Sequence, residues 1–137
     1  MTEAVAGAIA DLINQQNQLN IRYTSERVLA ERDSYIIRMR GDEVVGVVEV
    51  KKVQWYQCEI SHLSVQPHAQ GAGLGTSLVA EAERRARDMG SRIAQCTIRV
   101  GNVASEGIFT RRGFAPTATF RNERTGNEVR VYQKVVG

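Results

Sequence analysis

Gln70-Gly71-Ala72-Gly73-Leu74-Gly75 places three glycines in five positions, directly after an alternating apolar segment and directly before an amphipathic one. A strand that feeds a glycine-rich loop into a helix N-terminus builds an anion site. The first N–H groups of a helix have no partner within it, and the helix dipole adds about half a positive charge there. Glycines let a phosphate approach the main chain closely. Two familiar phosphate loops do not fit. The dinucleotide fingerprint G-x-G-x-x-G would need glycine where Thr76 stands, and a P-loop needs a lysine after Gly75. The remaining pattern, Q-x-x-G-x-G, predicts a phosphate-bearing ligand gripped by main chain. The bland reading is a connector that binds nothing, and it leaves the conformational cost of three glycines unexplained.

The flanking elements must position this loop. Before it, residues 57–66 alternate, with Ile60 on one face and Glu59, Ser61, Leu63 and Val65 on the other. After it, Leu74, Leu78, Val79, Ala82, Ala86 and Met89 recur at helical spacing, and Gly90 stands where the helix should stop. Upstream, residues 2–16 carry one apolar stripe capped by Thr2, and residues 25–32 read as a short second helix. Residues 35–40 and 44–53 alternate as two strands joined by a Gly41-Asp42 turn. Downstream come a strand at 93–100, a helix at 102–112 stopped by Gly113, and strands at 116–121 and 129–135. Three consecutive strands followed by a strand–helix–strand unit predict an α/β fold. It has a mixed, mostly antiparallel sheet with helices on both faces, in a single domain over 1–137.

A second motif lies in Asn102-Val103-Ala104-Ser105-Glu106-Gly107-Ile108-Phe109-Thr110-Arg111-Arg112-Gly113-Phe114. With the Gln70–Gly75 loop and the element order, it resembles the GNAT superfamily of N-acyltransferases across nearly the whole chain. The resemblance implies acetyl-CoA as co-substrate and transfer of its acetyl group to a primary amine, with a small amine or amino acid favoured. It implies main-chain contacts to thioester and pantetheine from Leu63, Ser64 and Val65. The pyrophosphate would lie on Gln70, Gly71, Ala72, Gly73, Leu74, Gly75 and Thr76. The pantetheine arm would run past Asn102, Ser105 and Phe109. Asn102 also reads as a plain helix N-cap, and the two roles are compatible. There are two departures. Family members usually open with a strand that is missing here, so the sheet edge is shortened or completed by a partner subunit, as in a homodimer. Phe109 stands where many relatives carry a tyrosine that protonates the leaving thiolate.

Amine attack on a thioester needs a neutral amine, a polarised carbonyl and a proton acceptor, and no protein nucleophile. By the same resemblance Glu59 is the catalytic base, and partial desolvation would raise its pKa toward that task. The other reading of Glu59 is a strand residue paired with a cross-strand cation. His62 has a suitable intrinsic pKa but the opposite strand parity, so it packs under the helices, and His68 falls in the loop. Tyr23, Tyr35, Tyr56 and Tyr132 are all candidates for an acceptor pocket, and Trp55 and Tyr56 for an acceptor or subunit surface.

A net charge of +3 suits a polyanionic cofactor, but without a basic run or interleaved aromatics it argues against nucleic acid. No apolar run is long enough for a membrane span, and the N-terminus lacks the pattern of a signal peptide, so a cytoplasmic protein is expected. Cys58 and Cys96 both fall in strands and read as small buried hydrophobes of a reducing compartment. No metal site is expected. Two other classes stand beside the transferase: a catalytically weak acyl-CoA-binding sensor or subunit, suggested by Phe109, and a nucleotide-binding protein that uses the loop for another phosphate.

Overall fold

In the computed structural model, which describes every residue except Gln18 and Asn20, three helices begin on a side chain that closes the first turn. Thr2 accepts from the Val5 N–H at 3.1 Å to open α1 (Glu3–Gln16), and Thr24 from the Arg27 N–H at 3.2 Å to open α2 (Ser25–Ala30). The long helix α3 (Leu74–Asp88) begins instead on Gly73, at φ +79°, with no capping side chain. Its leading N–H groups are left for another partner. Asn102 accepts from the Ser105 N–H at 3.3 Å and opens α4 (Val103–Arg111).

Six strands form one sheet in the order β1-β2-β3-β4-β6-β5. They are β1 (Tyr35–Arg40), β2 (Glu43–Gln54), β3 (Gln57–Val65), β4 (Ile93–Arg99), β5 (Ala115–Arg121) and β6 (Glu128–Val135). Only β3 and β4 pair in parallel, because α3 carries the chain across between them. β2 divides the core into two layers, its alternation reset by an irregularity between Val44 and Gly46. Val48 and Val50 pack with Ile36, Ile60, Leu78 and Phe109 on the α3–α4 side, whereas Val44 and Val47 join Ile9, Leu12 and Val28 on the α1–α2 side. Each such side chain, fully buried, contributes about 1.5–3 kcal/mol. Among the described residues no strand lies outside β1, so it forms one sheet edge and β5 the other. No described helix is long and apolar enough to cross a membrane.

The alternation expected along β3 holds for its lower half only. Strict alternation sets Leu63 and Val65 opposite Ile60, yet all three pack on the α3 side. A bulge is the cause. Glu49 pairs with Ser61 and Val47 with Ser64, so Val48 faces both His62 and Leu63, and His62 takes φ +56°. An extra residue resets the alternation and drops out of the ladder. Glu59 therefore shares its face with Ser61 and Ser64, not with Leu63.

Candidate active site

Pairing between β3 and β4 covers Gln57–Glu59 against Ile93–Gln95 and then stops. Beyond that point the two strands diverge into a wedge, and the His62 bulge turns part of one arm's main chain away from β2 as well. Two cavities open on the wedge. The larger, about 680 Å³, lies over the N-terminus of α3, between the end of β3 and the start of α4. The smaller, about 230 Å³, runs between the arms toward the C-terminal end of α1 and the β5–β6 turn. They meet at Leu63, Asn102, Ser105 and Gln16, which border both.

Most of the residues expected to hold a cofactor border the larger cavity: Leu63, Ser64 and Val65 from β3, the loop from Gln70 to Thr76 apart from Ala72, and Asn102 and Ser105. Local structure explains why these residue types are needed. Gly71 and Gly73 hold φ of +84° and +79°, which side-chain-bearing residues rarely adopt. At Gly75 an added Cβ would lie 2.8 Å from Ile108 Cδ1, so glycine there lets α4 close on α3. The Gln70 amide donates to the Val65 carbonyl at 3.0 Å, folding the loop back on the end of β3. The Ser64 side chain, 2% exposed, points to the α1 side: it accepts from Asn17 Nδ2 and donates to the His62 carbonyl, both at 2.8 Å. Asn17 also donates to the Ile13 carbonyl at 2.8 Å, so the end of α1 clamps the bulge. Arg111 gives this cavity a cation, and among the described residues no carboxylate borders it.

Phe109 borders the smaller cavity instead, buried and edge-on to Phe114 at 5.1 Å, so no tyrosine hydroxyl stands there. His62 also lines it, stacked edge-on against Tyr23 at 5.0 Å. Burial lowers the His62 pKa, with the Glu49 carboxylate opposing, so the imidazole is neutral at neutral pH. Glu59 lines neither cavity. It stands at the last paired position, at the floor of the wedge, where it accepts from Gln95 Nε2 at 3.1 Å; Gln95 in turn accepts from Gln133 at 2.6 Å. Burial raises the Glu59 pKa and the Gln95 bond works against it. Burial and then the Glu59 charge push the Cys96 thiol up, so it is protonated and unsuited to nucleophilic work.

Sequence reasoning missed Gln16 and Asn17 at the end of α1 and Thr97 and Arg99 on β4, all of which border the smaller cavity. No local motif marks them; only the divergence of two strands brings them together. The four tyrosines border neither cavity, and Trp55 and Tyr56 sit in the β2–β3 turn, at the opposite end of β3 from the loop. His68 is exposed and pairs with Glu43 at 2.9 Å.

Residues 7–114, which hold the glycine-led helix and both strands of the wedge, match the acetyltransferase (GNAT) family. The chain belongs to that family. The chain spans less than two thirds of the length of the curated relatives it matches. The chain is 29% identical over 115 residues to a mycothiol acetyltransferase of Streptomyces bingchenggensis, a match that covers 81% of this chain but only 37% of that protein. Among solved structures it superimposes on yncA of Salmonella typhimurium, a putative acetyltransferase with its cofactor acetyl-CoA, at a TM-score of 0.86. That match has 19% identity and covers 100% of this chain and 91% of the other. The ribosomal-protein-alanine N-acetyltransferase of Brucella melitensis gives a TM-score of 0.81 at 24% identity, over 98% and 96% of the two chains. These likenesses establish the fold, and the GNAT expectation for the sheet and its helices holds.

Proposed function

We propose that this domain transfers the acetyl group of acetyl-CoA to the primary amine of a small acceptor, a free amino acid or comparable amine, by direct attack. The observation that carries the reading is the junction of two cavities at Leu63, Asn102 and Ser105. One is large, begins at uncapped N–H groups and has the size of a cofactor site. The other, at about 230 Å³, is smaller than the roughly 300–1,000 Å³ typical of drug-sized ligands. In this reading the pyrophosphate sits on the N–H groups from Gly71 to Thr76, and the pantetheine lies along β3 beside Asn102 and Ser105. A main-chain N–H of the bulge polarises the thioester carbonyl. The amine nitrogen bonds the carbonyl carbon, the carbon–sulfur bond breaks, and sulfur keeps the electron pair as thiolate. The surplus amine proton passes to Glu59, whose chain neighbours Ile60 and Ser61 border the smaller cavity.

A second reading of the base is favoured by one observation: His62 borders the acceptor cavity and Glu59 does not. Thiol release across an amine panel tests the function, and the pH dependence of kcat/KM in Glu59→Gln and His62→Gln variants separates the bases. A base with a raised carboxyl pKa gives an acid limb above the ordinary carboxylate range, and a base with a lowered imidazole pKa one below 6.5. The limb disappears in whichever variant removes the base. Acetyl-CoA binding without turnover of any amine would favour the acyl-CoA sensor that Phe109 suggests. We also propose a cytoplasmic setting, where free thiols such as Cys58 and Cys96 persist. A homodimer completed at the β1 edge belongs to the same proposal, and sedimentation at working concentration would reveal it.

A further inference from the structure

We infer that the acceptor carries a carboxylate as well as its amine, and that Arg99 is the residue that recognises it. The inference rests on the transferase reading above and narrows its acceptor class. Alternation along β4 sends Ala94, Cys96 and Ile98 into the core and leaves Thr97 and Arg99 exposed on the opposite face. That is the face of α1, but α1 packs over β2 and β3 and leaves the β4 side of the wedge open. Arg99 borders the smaller cavity there. Among the described residues its guanidinium has no ion pair and no hydrogen bond, unlike Arg38 with Glu81 or Arg112 with Glu83.

Position supports the same role. Gln95 and Glu59 form the last β3–β4 pair, Arg99 lies four residues beyond the first and Leu63 four beyond the second. The bulge takes up one of the β3 residues, so at about 3.3 Å per step Ser64 stands level with Arg99 on the opposite arm, about 13 Å above the floor, and Leu63 one step below it. Leu63 is also where the two cavities meet. A short amino acid could thus present its amine at the junction and its carboxylate toward the β4 arm.

Charge decides which amines suit the cavity. The chain has 15 acidic residues, yet among the described residues none borders the smaller cavity, whose polar lining is made of amides, hydroxyls, His62 and this one arginine. A diamine or polyamine brings a second ammonium that needs an anionic partner, and it would meet a guanidinium instead. An amino acid with its amine deprotonated for attack has one negative charge, which a guanidinium binds bidentately. A peptide N-terminus offers an amide at that place and leaves the guanidinium unpaired.

The test compares four acceptors on the intact protein at saturating acetyl-CoA: an α-amino acid, its carboxamide, its decarboxylated amine and a diamine of similar length. Each is measured by thiol release and by calorimetric binding to the CoA-loaded protein. The expected result is a preference of at least about tenfold in kcat/KM, or in affinity, for the carboxylate over its carboxamide, with the diamine weakest. In Arg99→Gln the carboxylate falls to the level of its carboxamide, and Arg99→Lys restores part of the preference; acetyl-CoA binding serves as the folding control in both. A preference that survives in Arg99→Gln, a wild-type protein that favours the diamine or carboxamide, or failure of any carboxylate amine to bind overturns the inference. Loss of acetyl-CoA binding by the wild-type protein overturns the transferase reading itself, and is read separately.

Discussion

At the scale of single residues, Phe109 and Glu59 carry the sharpest expectations. Phe109 borders the smaller cavity without a hydroxyl, so in the proposed transfer the leaving thiolate, whose acidity resembles that of a cysteine at pKa about 8.5, would depart without that acid. Phe109→Tyr is expected to raise kcat, by up to the roughly 10²–10⁴-fold of one proton-transfer group, measured by steady-state thiol release. Glu59 makes a stability prediction independent of activity. Its folded pKa is raised, so the ionised form is disfavoured in the fold, and stability is lost as the pH rises through that folded value. Glu59→Gln keeps an acceptor for Gln95 and removes the charge. Its melting temperature should exceed the wild-type value at pH 7, with the difference closing as the pH falls through the folded pKa. The sequence brought Glu59 and Phe109 into view through their motif positions. It offered nothing to mark Arg99 or Asn17, because an arginine at a strand end and an asparagine after a helix are unremarkable until another strand diverges beside them.

At the scale of elements, the strand and helix order could be read from periodicity and glycine stops, since these are local properties. The bulge in β3 could not. Alternation assumes an unbroken ladder, and the extra residue shows only when Val48 is found facing both His62 and Leu63. That error moved Leu63 and Val65 to the wrong face while leaving their main chain at the cavity. The clamp that holds the bulge is equally non-local, since Ser64 is joined to Asn17 from the far end of α1. Ser64→Ala leaves the Asn17 amide and the His62 carbonyl each short of a partner, at a cost of about 1–3 kcal/mol in urea unfolding. If the clamp fixes the thioester contact, KM for acetyl-CoA rises with it. An unchanged KM at reduced stability would mean that the bulge holds its shape without the serine.

At the scale of the whole molecule, the α3–α4 side and the outer strands must stay together for the two cavities to share a junction. A buried carboxylate secures them. Glu83 of α3, 1% exposed, accepts from Arg112 at 2.8 Å and from Lys134 of β6 at 2.5 Å, and Lys134 donates to the Arg112 carbonyl at 2.6 Å. Removing both cations by Arg112→Met and Lys134→Met should cost about 3–5 kcal/mol, because the carboxylate is then buried without compensation; adding Glu83→Leu should recover most of it. Over this frame lies the central claim, that the uncapped start of α3 and its cavity hold acetyl-CoA. Thermal unfolding with acetyl-CoA, CoA, ATP and NAD at matched ionic strength tests it most directly. A ligand at a hundred times its Kd adds about 2.7 kcal/mol to the native state, a shift of several degrees. The account predicts that shift for acetyl-CoA and CoA alone, and its loss in Gly73→Val, where the +79° backbone no longer suits the residue. No shift with either CoA species, or an equal one with ATP, would contradict it.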